Sequence, residues 1–194
     1  MEIRVVKSRR KTLSLYIDEF GNLTVKAPQN LPNDRIYEFV KSKEVWIKKH
    51  QQNAFNFNNL YSDVINKKKG MIFNKIVDFS ANFKNTLIDI SSDYLPKRLS
   101  ELANKFSFNY NSVKIKNYKS RWGACDKKNN IYLNYKLVML DKNLIDYVLI
   151  HELCHTKFFS HNKDFHNLLK SFFNDEFSLR KRLKNFSNIC KIQY

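Results

Sequence analysis

One apolar helix constrains this chain more than any other part of its sequence. Asp141 can cap a helix that has few polar positions from Leu144 to His155. Its apolar positions are Leu144, Ile145, Val148, Leu149, Ile150 and Leu153. A helix that is apolar on nearly all sides belongs in the centre of a domain. Its three main polar interruptions, His151, Glu152 and His155, therefore need partners, because burying polar groups alone costs free energy.

These interruptions form the pattern His-Glu-x-x-His, which has a geometric meaning on an α-helix. Four residues advance a helix by slightly more than one turn, so His151 and His155 project from nearly the same side. Both imidazoles can then bind one zinc ion, which lowers the pKa of its bound water from ~15.7 towards ~7. Glu152 lies beside the two ligands, where a general base would take the proton of that water. The pattern predicts a zinc hydrolase with Glu152 as its catalytic residue.

A catalytic zinc site usually has three protein ligands, so a third ligand must come from elsewhere in the chain. Ser160, His161 and Asn162 lie where the helix must end, and a reversal there would return His161 to the metal. His166 is the alternative, although its apolar neighbours favour a place on the next helix. We favour His161 and expect one Zn²⁺ per chain, which other divalent ions could replace.

Length and composition indicate a soluble globular protein. A chain of 194 residues with 43% hydrophobic content can form one substantial domain, with or without a small appendage. It has no apolar run of about 18 residues, and its amino terminus alternates charged and apolar residues, so neither a membrane span nor an export signal is expected. Its three cysteines are an odd number and widely spaced, which favours a reducing cytoplasm.

The net charge of +17 indicates affinity for anions, and a non-specific nucleic-acid partner is possible through the basic surface. Short basic clusters lie at residues 7–11, 67–69 and 181–184. Lysine, asparagine, isoleucine and phenylalanine are abundant while alanine and glycine are scarce, which is typical of an AT-rich genome. Part of the charge therefore reflects coding bias.

The amino-terminal region is predicted to be a β-meander followed by a helix. Alternating apolar residues run from Ile3 to Ala27 around a Gly-containing hairpin turn at residues 18–22. Asn33 can cap the helix, which reaches about His50. Residues 51–90 have no sustained period, although Ile72, Ile76 and Val77 could belong to a strand, and no function is assigned to them.

The carboxyl-terminal region is predicted to contain the catalytic domain. A helix begins at Ser92 with Pro96 in its first turns, and strands at 112–118 and 131–135 look like a second hairpin around residues 121–130. We expect an α+β fold with a zincin-like core around the His-Glu-x-x-His helix. The predicted division is 1–91 for the amino-terminal region and 92–194 for the catalytic domain, unless the two form one unit.

The stretch KSRWGACDKKNNIYLNYKLVMLDKNLIDYVLIHELCHTKFFSHNKDFHNLL resembles the YgjP-like metallopeptidase family, relatives of the SprT-like zincins. RRKTLSLYIDEFGNLTVKAP and VWIKKH also look like that family's opening, so the resemblance covers roughly residues 1–50 and 92–172. It implies that His151, His155 and His161 are the zinc ligands and that Glu152 is the catalytic glutamate.

The family's Arg-Trp-Gly-Ser-Cys element is matched here by Arg121-Trp122-Gly123-Ala124-Cys125, with alanine in place of serine. The resemblance implies a loop beside the metal, in which Arg121 binds a substrate carbonyl or phosphate or forms an ion pair that fixes the hairpin. The family usually has tryptophan where this chain has His166, which keeps His166 open as a ligand. Its middle segment is also longer than residues 51–90.

Three functions follow from these observations. The first is a zinc-dependent peptidase-like hydrolase, which the His-Glu-x-x-His pattern and the resemblance both favour. The second is a pyrophosphatase that hydrolyses UTP at the same metal site, as assigned to similar proteins, although the chain has only three glycines and no Gly-rich phosphate loop. The third is a DNA-associated basic protein whose binding would weaken steeply with salt.

Overall fold

The structure is a computed structural model that describes residues 3–18 and 21–194, with every side chain among them except those of residues 57, 58 and 60. The chain divides into two compact units, Met1–Ser62 and Asp63–Tyr194. The division predicted between residues 91 and 92 falls instead inside a long helix, which begins before the apolar face that marked it in the sequence.

The first unit contains a three-stranded sheet that is not a meander. Its strands are β1 (Ile3–Ser8), β2 (Ser14–Ile17) and β3 (Leu23–Pro28). The order is β1-β3-β2, with β3 parallel to β1 and antiparallel to β2. The predicted meander is wrong because alternation identifies strands but not their partners. β3 buries Leu23, Val25 and Ala27 and lies in the centre, whereas the charged and exposed β1 lies at an edge.

The turn between β2 and β3 was predicted as a hairpin turn containing glycine. Glu19 and Phe20 lie outside the described residues. Gly21 has φ +86°, a left-handed conformation that favours glycine, and its N–H donates to the carbonyl of Asp18 at 3.1 Å. The antiparallel pairing of β2 and β3 agrees with this part of the prediction.

Two helices follow in the first unit, where a single helix was predicted. They are α1 (Asn33–Ser42) and α2 (Glu44–Ile65), so α2 continues well beyond His50. Pro32 occupies the capping position of α1 without a side-chain cap, so the predicted capping by Asn33 is wrong. Ile36, Val40 and Ile47 pack with the buried face of β3 to form the apolar core of this unit.

A hairpin and a long helix open the second unit. They are β4 (Lys69–Ile72), β5 (Lys75–Asp78) and α3 (Phe83–Lys105). Phe73 and Asn74 both have positive φ, as a two-residue type I′ turn requires. Residues 51–90 showed no sustained period because they divide among the end of α2, the hairpin and the start of α3. α3 begins at Phe83 rather than Ser92, so Pro96 lies in its interior and not in its first turns.

The second unit contains another three-stranded sheet, and it is not the predicted hairpin. Its strands are β6 (Ser112–Lys116), β7 (Gly123–Cys125) and β8 (Asn130–Asn134). β8 lies between the other two, parallel to β6 and antiparallel to β7. The hairpin prediction missed β7, which is only three residues long and so too short for an alternating pattern.

The remaining elements are helical. A 3-10 helix, Tyr135–Met139, leads to α4 (Lys142–His155), α5 (Lys163–Ser171), α6 (Glu176–Asn185) and α7 (Ser187–Lys191). The side chain of Asp141 accepts a hydrogen bond from the backbone N–H of Leu144 at 3.2 Å, which confirms the predicted cap of α4. The apolar positions of α4 are buried, as expected of a central helix.

Helices and short sheets both contribute to each unit, which confirms the predicted mixed helix-and-sheet class. Among the described residues, none of the helices is both long and apolar enough to cross a bilayer.

Candidate metal centre

Helix α4 holds His151 and His155, two of the three predicted metal ligands, inside the second unit, where it packs against α3, α5 and β7. His151 and His155 are half-buried, and their ring centroids are 4.9 Å apart on one side of the helix. Glu152, between them in sequence, is only 5% exposed. The helical spacing thus places the two imidazoles together and the carboxyl group beside them.

The chain reverses after α4 and returns His161 to the other two histidines. The Nε2 atoms of His161 and His151 are 3.1 Å apart, and one ligand nitrogen from each of the three rings falls within 4.8 Å of the others. Two nitrogens on one tetrahedral zinc are about 3.3 Å apart, given Zn–N bonds of about 2.0–2.1 Å. The spacing of His161 and His151 therefore suits a shared ion. His166 is outside this group, with its ring centroid 6.2 Å from that of His161.

The electrostatics of His151 and His155 favour the neutral form, which binds metals. Burial, together with the neighbouring histidines, lowers the pKa of His151 to about 3, and burial also lowers the pKa of His155. Nδ1 of His155 is 3.0 Å from the carbonyl oxygen of Phe158, which can only accept, so Nδ1 carries the proton. The lone pair of His155 is then on Nε2, and the donor set fits a zinc ion.

Glu152 lies against a strand that has room for it only because residue 123 is glycine. A Cβ atom placed on Gly123 would be 2.7 Å from Oε1 of Glu152, 2.8 Å from Cγ and 2.9 Å from Cδ. These distances are shorter than any ordinary van der Waals contact, and the carboxyl group would have to move. Gly123 is therefore part of the site, although it has no functional group of its own.

The carboxyl group of Glu152 is buried and incompletely paired. Burial raises the pKa of Glu152 to about 8, while the positive charge of Arg121 acts in the opposite direction. Within the described part of the chain, no hydrogen-bond partner meets its Oε2 atom. An unpaired buried carboxyl oxygen beside three imidazole groups is an arrangement that a cation would stabilise, so these residues fit the metal that their pattern predicts.

Arg121 lies in the loop before β7 with its side chain exposed. The guanidinium carbon is 5.6 Å from the centroid of the Tyr118 ring. Among the described residues, none of the ion pairs involves Arg121, so the alternative of an ion pair that fixes the hairpin finds no support. The loop is held by its backbone instead, since the side-chain amide of Asn134 donates to the carbonyls of Tyr118 and Arg121 at 2.9 and 3.0 Å.

Sequence reasoning missed three features of the site: the contact of Gly123 with Glu152, the Phe158 carbonyl on His155, and the Asn134 amide under the Arg121 loop. A lone glycine among strand-forming residues was a usable signal for the first, because it often marks a close approach of another group. No sequence pattern identifies the other two, since a backbone carbonyl carries no residue signature and Asn134 contacts residues distant in the chain.

Three imidazole nitrogens that converge beside a buried carboxyl group can bind a cation, and the carboxyl group can accept a proton. This combination defines the class of metallohydrolases. Comparison with protein families agrees with that class. Residues 11–80 and 74–186 match the sequence model of the YgjP-like family, described as a metallopeptidase domain. The chain belongs to the YgjP-like family, as the resemblance indicated.

Two solved structures are similar to part of this chain. The metallopeptidase zymogen jannalysin of Methanocaldococcus jannaschii is 25% identical, with a TM-score of 0.42 over 46% of this chain and 93% of its own. The metallopeptidase zymogen abylysin of Pyrococcus abyssi is 21% identical, with a TM-score of 0.42 over 46% of this chain and 90% of its own. No curated protein matches the chain significantly.

Proposed function

We propose that this protein is a zinc-dependent peptidase in which His151, His155 and His161 bind the metal and Glu152 is the general base. One observation carries the proposal: the ligand atoms of three histidines lie within 4.8 Å of one another beside a buried carboxyl group. The family match supports a peptide bond as the target, because the matched domain is a metallopeptidase domain.

When bound, Zn²⁺ supplies a Lewis acid that lowers the pKa of water and polarises the scissile carbonyl. Glu152 accepts a proton from the attacking water and donates it to the leaving amine. The base must be ionised to do so, whereas burial alone favours its neutral form. The positive charge of Arg121 lowers the pKa of Glu152 and so favours the ionised base.

Arg121 is the candidate for contact with the substrate. Its guanidinium group is exposed, lies over the ring of Tyr118 and is near enough to Glu152 to lower the pKa of that carboxyl group. A guanidinium group donates in a planar fork that matches a carbonyl or carboxylate oxygen pair. We infer that Arg121 binds a backbone carbonyl or a carboxylate of the peptide next to the scissile bond.

Metal analysis of the purified protein tests the proposal. Wild type should contain about one zinc per chain, His161→Ala should lose it, and His166→Ala should retain it because His166 lies outside the ligand group. His166→Ala is the control for loss of zinc through general damage to α5. Wild type that binds no zinc after reconstitution, or His161→Ala that binds as much as wild type, would overturn the three-histidine site.

The same preparations decide the substrate class. An unfolded protein and UTP are incubated in parallel with the zinc-loaded wild type, and cleavage of the protein is expected. Hydrolysis of UTP alone would replace the peptidase by the pyrophosphatase predicted as an alternative. DNA binding that weakens steeply with salt and survives Glu152→Gln, without any hydrolysis, would favour the DNA-associated protein.

A further inference from the structure

The three histidines of the candidate metal centre differ in what fixes their orientation. His151 and His155 belong to α4, and the Nδ1–H group of His155 donates to the Phe158 carbonyl at 3.0 Å. His161 lies outside any helix, and its side chain is exposed. In the described part of the chain, the hydrogen-bond contact of its ring is the 3.1 Å approach to Nε2 of His151, the other ligand atom. Something other than a hydrogen bond must therefore orient His161.

Phe165 is in contact with all three imidazole rings. The centroid of its ring is 4.5 Å from that of the His155 ring, on which it is stacked. It is 4.9 Å from the centroid of the His151 ring and 4.8 Å from that of the His161 ring. The last two contacts are close to perpendicular, with interplanar angles of 73° and 79°. Edge-to-face and stacked contacts at such distances stabilise one relative orientation of the rings.

The side chain of Phe165 is itself held in place, so it can restrict the orientation of the His161 ring. Its side chain is 0% exposed, and its backbone N–H donates to Oδ1 of Asn162 at 2.9 Å. Asn162 directly follows His161 and caps α5, so the loop that carries the ligand is joined to the first turn of the helix that carries Phe165. The backbone and the ring thus constrain His161 from two sides.

We propose that Phe165, with the cap formed by Asn162, is a positioning residue that holds His161 in metal-binding geometry before the metal arrives. This inference rests on the proposed function, because it assigns His161 as a ligand. Positioning of a ligand by neighbouring groups is typically worth about 10–100-fold in metal affinity. Loss of the Phe165 ring should weaken zinc binding by about that factor.

Zinc affinity, measured by competition with a chromophoric chelator at fixed pH, tests the inference with Phe165→Ala and Phe165→Leu. Leu169→Ala is the matched control, because Leu169 is buried at 1% exposure one turn further along α5. Both Phe165 variants should bind zinc more weakly than wild type, and Leu169→Ala should bind it within about threefold of wild type while losing thermal stability. Wild-type affinity in the Phe165 variants would overturn the inference.

A double-mutant cycle asks whether Phe165 acts through His161. His161→Ala should lose the zinc of the purified protein, but its two remaining histidines can still bind zinc weakly at high metal concentration. In that background Phe165→Leu should lower zinc affinity by a smaller factor than in wild type, because the ligand it positions is gone. The same fold-loss in both backgrounds would overturn the inference in favour of a general role in packing. Asn162→Ala should reproduce part of the loss and keeps the test valid if Phe165→Ala does not fold.

The visible spectrum of the Co²⁺-loaded protein gives a readout independent of activity. Phe165→Leu should shift its bands relative to wild type, and Leu169→Ala should not. If wild type binds neither zinc nor cobalt, the proposed function is refuted. If wild type binds zinc and Phe165→Leu binds it with the same affinity, only the positioning role of Phe165 is refuted.

Discussion

The two three-stranded sheets of this protein have the same pairing plan and carry different groups. In each, the third strand lies in the centre, parallel to the first and antiparallel to the second. The sheet of the first unit packs on helices through apolar residues such as Val25, Ile36 and Ile47. The sheet of the second unit instead places Gly123 against Glu152 and buries Asn134 at the end of its central strand.

Among the described residues, the buried polar and charged side chains all belong to the second unit. They are Ser91, Asn134, Lys136, Glu152 and Glu176. The same sheet plan therefore accompanies an apolar core in one unit and, in the other, a candidate metal centre whose buried polar groups oppose folding. The local topology therefore does not decide function. The side chains that pack against the sheet decide it.

The largest effect is expected from Glu152→Gln. The variant keeps the shape of the side chain but cannot accept a proton, so turnover should fall by about 10²–10⁴-fold. Zinc content should be unchanged, and the free energy of unfolding should be equal or higher, because a neutral amide replaces a buried carboxyl group whose pKa burial has raised. Steady-state kinetics and metal analysis check this, and full activity would exclude Glu152 as the base.

Leucine truncation in the two central strands compares the cores directly. Leu23→Ala in β3 and Leu133→Ala in β8 should each lower the free energy of unfolding by about 2–5 kcal/mol. Only Leu133→Ala should also lower turnover in the folded protein, because Leu133 pairs with Gly123. Trp46 in the first unit and Trp122 in the second allow fluorescence to follow each unit when the other tryptophan is replaced by phenylalanine.

Equal losses of activity in both leucine variants would show that the second sheet has no special relation to the site.

Alanine substitutions at Gly21 and Gly123 should separate the effect of backbone strain from that of steric conflict with Glu152. Gly123→Ala should lower turnover about 10–100-fold, because displacing Glu152 by about 1 Å is enough for such a loss. Gly21→Ala should instead cost about 1–2 kcal/mol of stability, because alanine is strained at φ +86°, with turnover unchanged. Kinetics and chemical denaturation distinguish the two outcomes, and an inactive Gly21→Ala variant would contradict them.

The smallest effect concerns Lys136, whose side chain is fully buried with Nζ donating to the Cys190 carbonyl at 2.7 Å. Burial lowers the pKa of Lys136 from its ordinary value of 10.5. The unfolded chain therefore binds more protons in the window below pH 10.5, and this lysine makes stability rise with pH through that window. Lys136→Met should remove that rise.

Lys26→Met, at an exposed position of β3, is the control and should leave the pH dependence of stability as in wild type. Denaturation curves at a series of alkaline pH values compare the three proteins. A Lys136→Met variant with the wild-type pH dependence would show that the buried lysine keeps its ordinary pKa.

Local signals in the sequence predicted the centre of the second unit well. The apolar run after Asp141 predicted a capped central helix, and the cap and the burial of α4 were both found. The four-residue spacing predicted that His151 and His155 would share one side, because helical period alone fixes that relation. The resemblance carried by the same stretch identified the family.

Long-range relations were decided only by tertiary structure. Alternation located β1, β2, β3, β6 and β8 in outline and the antiparallel pairing of β2 with β3, but it missed the parallel pairing of β3 with β1 and of β8 with β6. The fit of Glu152 against Gly123 and the packing of Phe165 on three histidines likewise join residues whose contact no local pattern encodes.

The physical reason is that period and capping act within a few residues and fix which face of an element is buried. Strand order and side-chain fit depend on the best packing among all elements, which is a property of the whole unit. The sequence by itself thus determined the helix, its His-Glu-x-x-His pattern and the family, while the folded second unit decided what surrounds Glu152 and His161.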